Sequence, residues 1–168
     1  MKRHALSLVF CVLSASAAFT QTKAPVEGVW RIAEAVTPSR NLAEKGATIT
    51  NPQPSLVIFT RGYYSAVIVE GGQPRAAVAP AKDRRNLTDA EKIARYEHWR
   101  TFVANSGTYE IKDSTLVTRA IVAKNTEGMT KATPNIQDFK LEGSDTLWLI
   151  PIGDRAAIEP RLKLTRLE

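Results

Sequence analysis

The sequence predicts an all-β fold: an eight-stranded antiparallel up-and-down barrel with one α-helix between strands 3 and 4. Three observations carry this. Eight short segments alternate apolar and polar residues, so each has one dry and one wet face. Most are joined by tight turns of hairpin length. One capped helical segment interrupts the series, a pattern that suits an antiparallel sandwich or barrel better than a parallel sheet.

The chain begins with a leader. Lys2 and Arg3 supply a charged start, Ala5 to Leu13 an apolar run, and "SASAA" (14–18) small residues for cleavage after Ala17 or Ala18. Residues 1–18 therefore read as a signal peptide, and the apolar run is too short for a good membrane span. Residues 19–26 form a polar tether, and residues 27–168 one domain, a size suited to a single core. The expected location is periplasmic or secreted, with no stable membrane anchor after cleavage.

Cleavage also restricts the chemistry. The single cysteine, Cys11, lies in the leader, as does His4. The mature chain then has no disulfide, thiolate metal site or cysteine nucleophile. His98 is its one histidine. No close acidic cluster offers to complete a metal site around it, so no metal and no cofactor is expected. No nucleophile-elbow motif accompanies it, and no catalytic residue is assigned. Lys+Arg falls from 23 to 21 on losing Lys2 and Arg3, against 17 Asp+Glu, a mild net charge of +4. The densest basic cluster, "KDRRN" (82–86), is interrupted by Asp83 and reads as a solvated loop. Nucleic acid is not an expected partner.

Each element has its own signal. "GVWRIAEAVT" (28–37) places Trp30, Ile32, Glu34 and Val36 on one strand face, and Pro38 ends it. A Pro-, Asn- and Gly-containing loop follows. "SLVIFTRGYYSAVIVEGG" (55–72) is two strands around an Arg61-Gly62 turn, where Gly62 takes positive φ without steric cost. Residues 73–87 read as a loop. "TDAEKIARYEHWRTFVANSG" (88–107) is the helix. Thr88 and Glu91 form a capping box, and Gly107 is the expected stop. Ile93, Tyr96, Trp99, Phe102 and Val103 share one half of its wheel, a stripe expected to pack on the barrel wall or across its mouth. His98 lies on the other half and is expected in solvent. "GTYEIKDSTLVTRAIVA" (107–123) turns at Lys112-Asp113-Ser114. After a loop (125–135), "IQDFKLEGSDTLWLIPI" (136–152) turns at Gly143-Ser144-Asp145. "RLKLTRL" (161–167) is the last strand, with Leu162, Leu164 and Arg166 on one face.

Closing eight such strands pairs the first with the last and removes both sheet edges. The start of strand 1 then meets the end of strand 8, which brings Trp30 and Arg166 to the same barrel end. A guanidinium over an indole is worth about 0.5–2 kcal/mol, and Gly28 leaves room for a chain crossing. These three residues are the expected structural plug.

With those residues in view, "GVWRI" and Arg166 resemble the Gly-x-Trp and terminal Arg of the lipocalins. The wider pattern is similar to the bacterial and fungal lipocalin-like domain family. "FTRGYYS" (59–65), "FVANSGTYEI" (102–111), "LVTRAIV" (116–122) and "FKLEGSDTLWL" (139–149) follow that family's order, and the likeness spans residues 26–168. Arg119 stands where the family often has His. Gln137 and Asp138 stand where it tends to carry Arg. The resemblance implies a calycin-type barrel whose calyx takes a small apolar molecule. It implies no particular activity.

The candidate ligand contacts are Ile32, Glu34, Phe59, Tyr63, Tyr64, Tyr109, Arg119 and Trp148. Strand parity does not decide between Tyr63 and Tyr64. An interior filled by side chains and an open calyx both fit eight strands. By parity Glu34 shares the Trp30 face. There it is either paired with Arg119 or Arg61 inside the barrel or bathed in water at the open rim. Three readings follow. The first is an exported barrel binding a small hydrophobic molecule in its calyx. The second is a calyx enzyme of isomerase or cyclase type, using Glu34 with a tyrosine as acid and base. The third is a protein-protein interaction or inhibitor module acting through loop 73–87 and the helix.

Overall fold

The computed structural model describes residues 23–38, 46–130 and 134–168. The leader expected over residues 1–18 lies outside them. Nine strands are present among the described residues: β1 (Gly28–Val36), β2 (Thr48–Ile49), β3 (Ser55–Thr60), β4 (Tyr63–Val69), β5 (Phe102–Lys112), β6 (Thr115–Ala123), β7 (Asn135–Glu142), β8 (Thr146–Pro151) and β9 (Arg161–Arg166). A helix, α1, spans Asp89–Arg100, and a single helical turn, α2, spans Glu127–Thr130.

β1 and β3 to β9 run antiparallel in sequence order, and β9 pairs back onto β1, so eight strands close a barrel. Closure follows the expected register, Trp30 opposite Arg166 and Ile32 opposite Leu164. β2 is an appendage pairing Ile49 and Thr48 with Ala35 and Val36. It sits in what the sequence presents as loop. It also corrects the place of the helix, which lies between β4 and β5 and not between strands 3 and 4.

The turns obey their local chemistry. Arg61 and Gly62 both have positive φ (45° and 82°), the mirror-image turn whose twist matches two flanking strands. Asp113, at φ 54°, and Ser114 turn β5 into β6.

The second half of the expected helix is corrected. Thr88 and Glu91 do form the capping box: the Thr88 N–H donates to Glu91 Oε2 at 2.8 Å and the Glu91 N–H to Thr88 Oγ1 at 3.3 Å. The helix ends at Arg100, however, and Phe102 and Val103 open β5. Seven successive residues of β5, Phe102 to Thr108, pair with β4 from Val69 back to Tyr63. Ladder bonds to a distant strand outweigh a helical period that the local sequence permits equally well. Gly107 is therefore no helix stop. It sits at a β5–β6 register shift, where a Cβ would overlap the carbonyl oxygen of Arg119.

The core fills the end of the barrel nearest the Arg61-Gly62, Asp113-Ser114 and Gly143–Asp145 turns. Trp30, Leu116, Leu147, Leu164 and Val26 are fully buried there, with Phe59, Tyr64 and Tyr109 against them. Val26, in the expected tether, is thus part of the plug. Its carbonyl accepts the Trp30 indole N–H at 2.8 Å.

Candidate functional site

The barrel has one sealed end and one open end. At the sealed end the Arg166 guanidinium lies over the Trp30 ring, 4.0 Å from its centroid. It donates to the carbonyl oxygens of Glu27 (2.6 Å) and Ser144 (2.6 Å). Gly28 takes φ +149°, and a Cβ there would overlap that guanidinium. Glu27 ties down the adjoining turn: its Oε1 accepts the Arg61 N–H at 2.9 Å and the Tyr109 hydroxyl at 3.4 Å.

The open end arises from a gap between β6 and β7. Their ladder stops at Thr118 opposite Asn135, and β6 continues to Ala123 without a β7 partner. A cavity of about 870 Å³ lies there. Tyr64 and Thr118 form its floor, above the packed core. Val103, Asn105, Ala120 and Ala123 border it on the β5–β6 side, and Asn135 across the gap. The rim is charged, with Glu70, Arg100, Lys124, Arg155 and Glu159. Arg155 is committed to neighbours, bonding Asn135 Oδ1 and pairing with Glu159 at 2.6 Å. The interior is therefore both packed and open: side chains fill the sealed half, and a volume suited to a small molecule remains in the other.

Each predicted contact now has a place. Cross-strand partners share a face, and Tyr64 pairs with Phe59 and Gly107 on the inner one. Tyr64 is buried and lines the cavity, whereas Tyr63 is 58% exposed on the outer wall. Burial raises the Tyr64 hydroxyl above its usual pKa, and the Thr118 hydroxyl bonded to it partly offsets this. Phe59 and Tyr109 are inward but lie in the packed core, their rings edge-to-face at 5.3 Å. Ile32 is also core.

The face expected for Glu34 is corrected. The β1–β9 register shifts between Ile32 and Glu34, so that Glu34 opposes Lys163 and not a residue of the Leu164 face. The bulge reverses parity, a device sequence alternation does not reveal. Glu34 thus lies on the outer wall. Trp148 also opposes Lys163, whose ammonium lies 5.5 Å from its ring. Arg119 is exposed and opposes Thr108, although its residue borders the cavity mouth. Glu34 therefore pairs with neither Arg119 nor Arg61 inside the barrel.

Sequence reasoning missed Asn105, Thr118, Ala120 and Asn135. Asn105 was hidden inside the expected helix. Thr118 and Ala120 share the inward parity of Leu116 and could have been read from it.

No protein-family model matches the chain, and no curated protein does. Among solved structures it is similar to a lipocalin-like protein from Bacteroides uniformis ATCC 8492. That likeness has a TM-score of 0.45 and 10% identity, covering 86% of this chain and 100% of the other. An uncharacterized protein from Bacteroides eggerthii DSM 20697 is similar at TM-score 0.42 and 9% identity, over 83% and 98% of the two chains.

Proposed function

We propose that the protein is an exported binding protein whose open half-barrel holds one small, mainly apolar molecule bearing a polar group. The cavity of about 870 Å³ carries this reading. An open pocket of this volume has room for a small molecule. Val103, Ala120 and Ala123 offer apolar contact, while Asn105, Thr118 and Asn135 offer hydrogen bonds to a polar end. The floor is rigid because Tyr64 rests on packed core, so a ligand meets a preformed surface and orders little on binding. Export is supported by the residue pattern of the leader alone.

The acid/base pair named for the enzyme reading, Glu34 with a tyrosine, is not assembled within the barrel, because Glu34 is on the outer wall.

Native mass spectrometry on protein purified without detergent tests the proposal. A discrete added mass that disappears on denaturation, and that Ala120→Trp prevents by filling the cavity, is the expected result. Retention of the same mass by a folded Ala120→Trp variant overturns the cavity as the site.

A further inference from the structure

One edge within the barrel wall has no partner strand. β6 runs on to Ala123, but its ladder with β7 ends at Thr118, and no described residue pairs with residues 119–123 on that side. Neighbouring bonds fix which way the backbone points. The Ser114 carbonyl accepts from the Phe139 N–H of β7. Strand residues alternate, so Leu116, Thr118 and Ala120 turn their N–H and C=O groups to that same side. The Tyr109 N–H donates to the Gly62 carbonyl, away from its β6 partner Thr118, which gives the same phase. Past the bulge at Ser106 and Gly107, the Lys124 N–H donates to the Ala104 carbonyl of β5, so Ala123 also faces away from β5. Ala120 and Ala123 thus present two N–H donors and two C=O acceptors to the gap.

A free edge is normally blunted by charge, proline or a cover. Residues 119–123 hold one charge, Arg119, and no proline. Ile121 and Val122 on this edge are 66% and 58% exposed, and Ile158 at the same cavity mouth is 74% exposed. Behind the edge the wall is built of small residues. Ala120 opposes Gly107, which opposes Tyr64 on the inner face, so the space above Tyr64 stays open. Asn105, which opposes Ala66 and Ala123, borders that space with a carboxamide that has no hydrogen bond among the described residues. A carboxamide carries a donor and an acceptor, the complement of a peptide group.

These features select a strand. Donors and acceptors spread along an extended backbone are satisfied in series by another extended backbone. Main-chain pairing then supplies affinity, and alternate side chains supply specificity. Cross-strand partners share a face, so a residue set opposite Ala120 sends its side chain into the cavity. Asn135 and Arg155 stand on the far lip of the mouth. A second barrel would have to bring its own lip past them, whereas one added strand needs only about 4.8 Å beside β6.

We propose that β6 takes a short, extended, mainly apolar peptide as an added strand along residues 119–123, with one of its side chains in the cavity. The inference rests on the cavity being the binding site and names its occupant as a peptide.

Calorimetric titration tests it with the capped pentapeptides acetyl-Thr-Val-X-Val-Thr-amide, in which X is Gly, Val, Leu or Phe. Binding is expected, tighter for Leu than for Gly, and at least about tenfold weaker to Ala120→Trp, whose fold far-UV circular dichroism verifies. N-methylation along the tightest peptide should cost at least about tenfold at positions of one parity, where it removes a donor to β6 and sets a methyl against a carbonyl, and little at the other. Equal effects at both parities overturn strand addition, as does failure of all four peptides to bind at about 1 mM. A non-peptide mass in native spectra that Ala120→Trp removes, with no peptide bound, overturns this inference and leaves the cavity reading standing. Peptide binding that Ala120→Trp leaves unchanged overturns the cavity as the site, and this inference with it. A peptide-free dimer that Ala120→Trp abolishes in ultracentrifugation also overturns it and assigns the edge to self-pairing.

Discussion

The guanidinium of Arg166 lies 4.0 Å from the centroid of the Trp30 ring, joining the last residue of β9 to the third of β1. The stack is a consequence of barrel closure, since the same two residues are register partners. Arg166 further bonds the carbonyls of Glu27 and Ser144, so one side chain fastens the entry strand and the β7–β8 turn. Trp30→Ala removes the largest fully buried side chain and should cost about 3–5 kcal/mol. Arg166→Ala should cost about 2–4 kcal/mol, combining the ring contact with bonds from a charged donor. Urea unfolding followed by circular dichroism measures both. Because the acceptors are carbonyls, the Arg166 contribution should hold between pH 5 and 9.

Gly28→Ala should be nearly as damaging although it adds one methyl. The backbone there has φ +149°, and the new Cβ would lie 2.6 Å from the Glu168 carbonyl oxygen as well as against the guanidinium. Substitution at such a backbone position typically costs about 1–3 kcal/mol before the clash is counted. Gly143→Ala supplies the contrast: its φ is +67°, but no atom lies within 4 Å of a Cβ there. The denaturation midpoint of Gly28→Ala should fall well below that of Gly143→Ala.

Stability should decline in strong base through two tyrosines. Burial raises Tyr64, and burial together with the neighbouring Glu27 charge raises Tyr109. Each folded value exceeds the unfolded one of about 10, so the folded state holds these protons more tightly. Their contribution is complete below about pH 10 and lost as pH rises through the folded values. Tyr64→Phe and Tyr109→Phe should each flatten the fall in unfolding free energy above pH 10, and the double variant should flatten it most.

Helix α1 should melt apart from the barrel. None of its residues is buried; the capping box holds its first turn, and the Lys124 ammonium, donating to the Trp99 and Arg100 carbonyls, holds its last. Thr88→Ala should speed hydrogen exchange of the first-turn amides about fivefold, near the usual worth of such a cap, with the barrel midpoint unchanged. The Thr88 backbone and side-chain hydrogen bonds also hold the Glu91 carboxyl below its usual pKa. The contribution of Glu91 is therefore present above the unfolded pKa of about 4.3 and lost as pH falls through the lower folded value.

The barrel was legible because its signals are local and mutually consistent. Arg61-Gly62 between two β-branched runs dictates a hairpin, and Trp30 and Arg166 at opposite chain ends become partners once strand number and direction are known. What was hidden depends on contacts distant in sequence. Phe102–Gly107 continues a helical period smoothly, and only β4 pulls it into a strand. Ala33 looks like any strand residue, and only the register against β9 shows the bulge that sends Glu34 outward. The cavity follows from the short β6–β7 ladder, a property of two strands that no single segment declares.

Tyr63 and Tyr64 provide the sharpest discrimination of the binding reading. They are adjacent, chemically identical and on opposite faces, with Tyr64 on the cavity floor and Tyr63 more than half exposed. Tyr63→Phe should leave ligand affinity unchanged. Tyr64→Phe removes a hydroxyl that bonds Thr118 at the floor, leaving the Thr118 hydroxyl to find another partner. The net worth of one hydrogen bond, about 0.5–1.5 kcal/mol, corresponds to a roughly two- to tenfold weaker Kd. Tyr64→Ala deepens the cavity and should shift preference toward longer ligands, measurable by competing a homologous series of fatty acids in native mass spectra. A matching loss from Tyr63→Phe would instead place the ligand on the outer wall, because no side chain of one strand reaches both faces.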